Sequence, residues 1–271
     1  MKTMVDGVCA GYLESWWSIQ PAGSEDWTDH PVEAQVAHLF AQQISGSLGS
    51  WRGSPAARAR LVPVCEGRYR HWRPEPDESL ADASGRADVW SPDVHTPSAP
   101  AGWFIEIKLA DVRAGKPKIG RQPWAKIVDG FVFDLRKLLL HSVPNDTDAA
   151  RLGGTAARCS FVVVVKGAEG AFEALLDAAP YSDAESARGG KALRTFGDVK
   201  KAIRDEVRGG EARQPGSERV KRFFRGAAAA LGRLEGVEDV TLTASDVQVL
   251  DGHQVQVVAI SWLQSVPFEH K

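Results

Sequence analysis

Glu106 and Lys108 stand two residues apart in Trp103-Phe104-Ile105-Glu106-Ile107-Lys108-Leu109, a strand-sized run that is otherwise apolar. Side chains of an extended chain alternate between faces, so Trp103, Ile105, Ile107 and Leu109 form one apolar face while Glu106 and Lys108 share the other. Burying an unpaired carboxylate or ammonium costs on the order of several kcal/mol, so such a pair beside a core strand points to function. A partner strand lies upstream. Gly85-Arg86-Ala87-Asp88-Val89-Trp90-Ser91 reads as extended, and residues 92–102, rich in Pro, Ser and Asp, read as its connection. Pairing about a centre near Pro97 sets Asp88 opposite Glu106, Trp90 opposite Phe104 and Arg86 opposite Lys108. Ala87, Val89 and Ser91 then lie over Ile107, Ile105 and Trp103, which gives one polar face and one core face.

Two carboxylates held side by side with an ammonium make a site for a hard divalent cation such as Mg²⁺, which takes oxygen ligands and completes its shell with water and phosphate oxygens. That is the chemistry of phosphodiester hydrolysis. The cation acidifies a bound water and stabilises the leaving oxygen, and the neighbouring Lys orients or deprotonates the attacking water.

Asp88 followed by Glu106-Ile107-Lys108 resembles the active-site signature of the PD-(D/E)XK nucleases, the superfamily of many type II restriction endonucleases. The resemblance spans roughly residues 30–166. It implies an α/β fold with a restriction-endonuclease-like αβββαβ core: a mixed central sheet flanked by helices, with the Asp on the second strand and the triplet on the third. It further implies a metal-dependent DNA endonuclease, of restriction or defence type. Asp88, Glu106 and the backbone carbonyl of Ile107 would hold one or two Mg²⁺ ions, for which Mn²⁺ substitutes, Glu33 would support the metal, and Lys108 would position or activate water. Where the family writes Pro this chain has Ala87, and a literal Pro92-Asp93 precedes Glu106. Asp93 would oppose Ala101 and reads as a turn residue, so Asp88 is the preferred ligand. The chain lacks the Gln-x-x-x-Tyr pattern of the RecB-like branch, since Gln122 is followed four residues later by Lys126.

The elements that must position these residues can be read independently. Asp29-His30-Pro31 opens a helix with apolar residues at 32, 36, 39 and 40, expected to run to about Ile44 and to end at Gly46; Glu33 is its only carboxylate. An extended stretch follows at 61–72, then the two hairpin strands, a helix over 123–140, and the β-branched run 159–165, suited to a strand buried on both faces. Beyond residue 167, helices are expected over 172–178, 196–207 and 220–234. A terminal β-hairpin is expected at 246–250 and 255–262, turning at Asp251-Gly252. The organisation is thus an N-terminal extension (1–29), the nuclease-like core (30–166), and a C-terminal extension of helices and a β-hairpin packed on it (167–271).

A net charge of −2 does not by itself mark a nucleic-acid binder, so charge has to be read locally. Lys116, Lys118, Arg121 and Lys126 follow the active strand and open the next helix, where cations and backbone amides suit a phosphate. Arg68 and Arg70 interleave with aromatics at the end of the first strand. Residues 191–225 hold eleven basic against five acidic residues, an excess of six that also suits the solvated faces of two helices.

Other chemistries are excluded by their missing patterns: no HExxH, GxSxG, GxGxxG or phosphate loop occurs. The three cysteines are odd in number and widely spaced, which argues against a disulfide framework or zinc knuckle and for a reducing compartment. No secretory core or bilayer-length apolar run is present, so a cytoplasmic protein with no membrane partner is expected. The expected partner is DNA, with a homodimer or partner proteins left open. Two other readings stand beside the enzyme: a noncatalytic nucleic-acid-binding or assembly subunit with a nuclease-like fold, and a nuclease active only with partner proteins of a defence system or mobile element.

Overall fold

Phe161, Val162, Val163, Val164 and Val165 are all fully buried and turn alternately to two separate apolar clusters, so the strand carrying them runs through the middle of a sheet covered on both faces. In this computed structural model the described residues are 1–19, 33–47, 63–68, 86–91, 102–112, 118–119, 122–142, 156–176, 181–182, 192–209 and 216–266. The strands are β1 (Val64–Arg68), β2 (Arg86–Ser91), β3 (Trp103–Asp111), β4 (Lys118–Ile119), β5 (Gln122–Pro123), β6 (Ala157–Ala168), β7 (Tyr181–Ser182), β8 (Val237–Ala244), β9 (Gln248–Leu250) and β10 (His253–Gln264). The helices are α1 (Lys2–Ser18), α2 (Glu33–Ser47), α3 (Trp124–His141), α4 (Phe196–Arg208) and α5 (Gly216–Leu231).

Among the described residues one mixed sheet holds eight strands in the order β1-β2-β3-β6-β10-β8-β7, with β9 also paired to β10. β1, β2 and β3 are antiparallel neighbours, β3 and β6 run parallel, and β10 returns antiparallel to β6 along its whole length. The parallel β3–β6 pair is joined through α3, as a parallel connection requires a crossover. α1 and α2 cover one face, packing Val5, Val8, Tyr12, Trp16, Val36 and Phe40 on the odd-numbered side of β3. α3, α4 and α5 cover the other face, where Phe131, Phe161, Phe223 and Phe224 meet in a set of mostly edge-to-face rings.

Several expectations are corrected. α2 continues through Gly46 to Ser47, and its expected Asp29-His30-Pro31 start lies outside the described residues. α1, expected as part of an N-terminal extension, is a full helix in the core. Residues 172–176 are not helical. The Gln254 and Gln256 amides satisfy that segment's backbone instead: Gln254 donates to the Phe172 carbonyl at 2.8 Å, and Gln256 accepts from the Leu175 N–H at 2.7 Å. Phe172 and Leu175 can therefore be buried without a helical ladder.

The sheet also runs past residue 167 without a break, since β10 and β8 extend it. The β9–β10 turn is the expected one: Asp251 and Gly252 have φ of 47° and 71°, the double positive-φ turn that matches strand twist. At the site's strand, Gly102 enters β3 with φ 89°, and a Cβ there would stand 2.7 Å from the Ser91 carbonyl, so no side chain fits where β2 hands over to β3. No helix among the described residues is long and apolar enough to cross a membrane.

Candidate active site

The expected hairpin register holds at Val89↔Ile105, Trp90↔Phe104 and Ser91↔Trp103, and there the β2–β3 ladder stops. The next β3 amide that points at β2 belongs to Ile107, and it donates to Asp88 Oδ2 at 2.6 Å. A side-chain carboxylate thus replaces the backbone carbonyl that a continued ladder would offer. Two expectations change with this opening. Neither Asp88 with Glu106 nor Arg86 with Lys108 forms a ladder pair, and Ala87 packs in the α3-side cluster while Val89 packs under α1 and α2. Because N–H and C=O of one strand residue point the same way, the Ile107 carbonyl also faces the opened edge beside Asp88.

Glu106 is fully buried on the α3 side. Its Oε2 accepts from Lys137 Nζ at 2.8 Å, and Lys137 lies 3.3 Å from Asp134 Oδ1 on the same helix. Asp134 Oδ2 in turn lies 3.3 Å from Lys108 Nζ, and Lys108 donates to Glu33 Oε2 at 3.1 Å. Three carboxylates and two ammoniums from β3, α2 and α3 thus form one network, and Asp88 of β2 stands beside it, held by the Ile107 N–H. Glu33, expected to support a metal, reaches the site through Lys108.

Burial dominates the proton affinities of the two strand carboxylates. It pushes Glu106 up to about 8, with Lys137 opposing and Asp88 and Asp134 adding to the rise. It pushes Asp88 up to about 6, against the Ile107 N–H and the two lysines. Burial works to lower Lys108, but Asp134, Glu33 and Asp88 outweigh it and hold the ammonium well above its usual range. Lys137 is raised in the same way, burial being outweighed by Glu106 and Asp134.

Of the residues read from sequence, Glu106, Lys108 and Glu33 are therefore brought into one network, with Asp88 next to it on the Ile107 N–H. Asp134 and Lys137 were not foreseen. An Asp and a Lys three apart at the edge of an apolar stripe look like an ordinary surface pair of a helix. The available signal was that Asp134 flanks Phe131, Leu135 and Leu138, all core residues. Of the expected phosphate contacts, Lys118 lies in β4 and Lys126 in the first turn of α3, while Arg68 closes β1 opposite Arg86; none of these side chains is among those described. Lys116, Arg121, Arg70 and Asp93 lie outside the described residues.

As a donor set for a hard cation, the site offers two carboxylates on neighbouring strands and a backbone carbonyl facing the same gap, all oxygen. Among the described residues no group of three Asp, Glu, His or Cys side chains is arranged to hold an ion. Asp88, Glu106 and the Ile107 carbonyl could hold one with water or phosphate oxygens completing the shell, which fits Mg²⁺ better than a thiolate- or imidazole-loving metal. Comparisons of the chain with models of protein families, with curated proteins and with solved structures find no match.

Proposed function

We propose that this chain is a divalent-metal-dependent DNA endonuclease that hydrolyses phosphodiester bonds, built on a restriction-endonuclease-like core. The observation that carries the reading is the opened β2–β3 ladder, where Asp88 takes the Ile107 N–H beside a buried Glu106 and a carboxylate-bound Lys108. The arrangement of β1, β2, β3 and β6, antiparallel twice and then parallel, with α2 before them and α3 in the crossover, supports it, because the αβββαβ resemblance implies that order.

Asp88, Glu106 and the Ile107 carbonyl would hold Mg²⁺, which when bound supplies an acidified water and positive charge at the scissile phosphate. The chain's own residues do the rest. Lys108 is held as an ammonium, so it donates to water or a phosphate oxygen and stabilises developing negative charge; the orienting role is favoured over the deprotonating one. Glu33 and Asp134 fix the Lys108 ammonium from two sides. Burial of Glu106 keeps bulk water from competing for its oxygens.

The test is cleavage of supercoiled plasmid with Mg²⁺ or Mn²⁺ by wild type and Lys108→Ala at matched DNA binding. Cleavage by wild type only is expected, and equal activity in both would sink the mechanism. A second reading has one observation in its favour: the buried Glu106 is paired with the chain's own Lys137, as in a nuclease-like fold kept for binding or assembly. DNA binding with no cleavage under any metal, alone or with partner proteins, would select it.

A further inference from the structure

A buried carboxylate needs a nearby positive charge or a proton, and at Glu106 the chain supplies its own cation. Lys137 Nζ is 2.8 Å from Glu106 Oε2, with only 12% of the Lys137 side chain exposed. Lys137 is not left to swing, because Asp134 Oδ1 holds it at 3.3 Å while the other Asp134 oxygen holds Lys108 at the same distance. One Asp thus couples both lysines of the site.

The geometry limits what Glu106 can do. A carboxylate that bridges two metal ions presents an oxygen to each, and two-metal sites hold their ions about 3.5–4 Å apart. At Glu106 the ammonium engages Oε2. Charge gives the same answer. Asp88, Glu106, Asp134 and Glu33 ionised carry four negative charges and Lys108 and Lys137 two positive, leaving two, which one divalent ion neutralises. A second ion would leave the partly buried cluster with a surplus of two positive charges before any substrate arrives.

We propose that Lys137 is a built-in second cation of this site: it occupies one side of Glu106, is fixed there by Asp134, and restricts the site to a single divalent ion. This rests on the reading above that Asp88 and Glu106 bind a divalent cation. Lys137 is a positioning residue in this account, acting on Glu106 and not on the scissile phosphate.

Metal-free full-length protein titrated with Mn²⁺ alone, by calorimetry and by the electron paramagnetic resonance signal of the free ion, reads this without relying on activity. Wild type is expected to bind one ion per chain, and Asp88→Asn to lose it. Lys137→Met, similar in length and uncharged, is expected to bind two, the first at least about tenfold tighter because a nearby like charge has gone. Lys137→Arg keeps the charge and should keep one. Two ions on wild type overturn the proposal, as does one ion on Lys137→Met at unchanged affinity. The wild-type stoichiometry decides even where Lys137→Met proves too unstable to titrate. Failure of the underlying reading looks different: wild type binds no ion, or binds it equally well in Asp88→Asn.

Discussion

Lys137, half-buried, and Lys166, buried, lie on opposite sides of one sheet, and their surroundings move their proton affinities in opposite directions. Lys137 sits between Glu106 and Asp134, which outweigh the effect of burial and raise it. Lys166, 4% exposed, lies under α1 with its ammonium 5.0 Å from the centre of the Trp16 ring. There burial wins, and Asp111, its cross-strand neighbour, only partly opposes a fall to about 8. Burial alone therefore does not decide whether a lysine stays charged; the local supply of carboxylate does. The α3 side has acids in excess and suits a cation. The α1 side is short of them and relies on an indole face.

The largest expected contrast between the two sides is in activity. Lys108→Ala should lower metal-dependent cleavage by at least about 100-fold, the usual scale for removing a charge-stabilising donor. Lys166→Met, on the other face of the sheet, should leave cleavage within a few-fold of wild type. Comparable losses in both would mean that the two faces are not functionally distinct.

Metal should separate them next. A ligand that binds only the folded state adds about 2.7 kcal/mol at one hundred times its dissociation constant. Melting in saturating Mn²⁺ at pH 8 should therefore rise by several degrees for wild type and Lys166→Met, and not at all for Asp88→Asn. A shift that persists in Asp88→Asn would place the ion elsewhere.

Protons offer the third contrast, and its sign differs between the sides. Glu106 and Asp88 rise in the folded protein to about 8 and about 6 from ordinary values of 4.5 and 3.8. The fold therefore retains protons that the unfolded chain has released, and stability is lost as pH climbs from about 4 to 8. The slope approaches ~1.4 kcal/mol per pH unit for each such proton. Lys166 falls in the fold to about 8 from 10.5, so its cost is present below pH 8 and is relieved as pH rises towards 10.5. Glu106→Gln should flatten the acid side of the stability curve and Lys166→Met the alkaline side. The second effect is read as a difference from wild type, because burial raises the Cys9 and Cys159 thiols and pulls the other way above pH 9. Identical curves for Glu106→Gln and wild type would refute the burial argument.

The two sides also differ in how far the sequence disclosed them. Asp88, Glu106 and Lys108 were legible because strand periodicity puts charges where only a core should be, and the hairpin register followed from the same alternation. The opening of that hairpin was not legible, since nothing local in Arg86-Ala87-Asp88 tells that a side chain will replace a ladder carbonyl. Asp134 and Lys137 escaped because helical spacing makes them look like a solvated pair, and only the docking of α3 on β3 turns them inward. The core of the sheet was readable from β6, whose unbroken apolar run demands two covered faces. α1 was not: its 17 residues carry no side-chain cap, no acid in the first turn and no base in the last to mark a helix, and its stripe of Val5, Tyr12 and Trp16 gains meaning only against β10.

The smallest expected effect probes the acid-poor side. Trp16→Phe keeps an aromatic face over Lys166 but a weaker one, and a cation over an aromatic ring contributes on the order of 0.5–2 kcal/mol. Stability should fall by about 1–2 kcal/mol at pH 7, part of it from the smaller ring, and by less at pH 10, where a growing share of Lys166 is neutral and makes no use of the ring's negative face. The difference between the two pH values isolates the electrostatic share, because the packing loss is common to both. If the Trp16→Phe penalty is the same at pH 7 and pH 10, the indole acts on Lys166 only by filling space. The ammonium under α1 would then be stabilised by something other than the ring, and the contrast with Lys137 would have to be redrawn around Asp111.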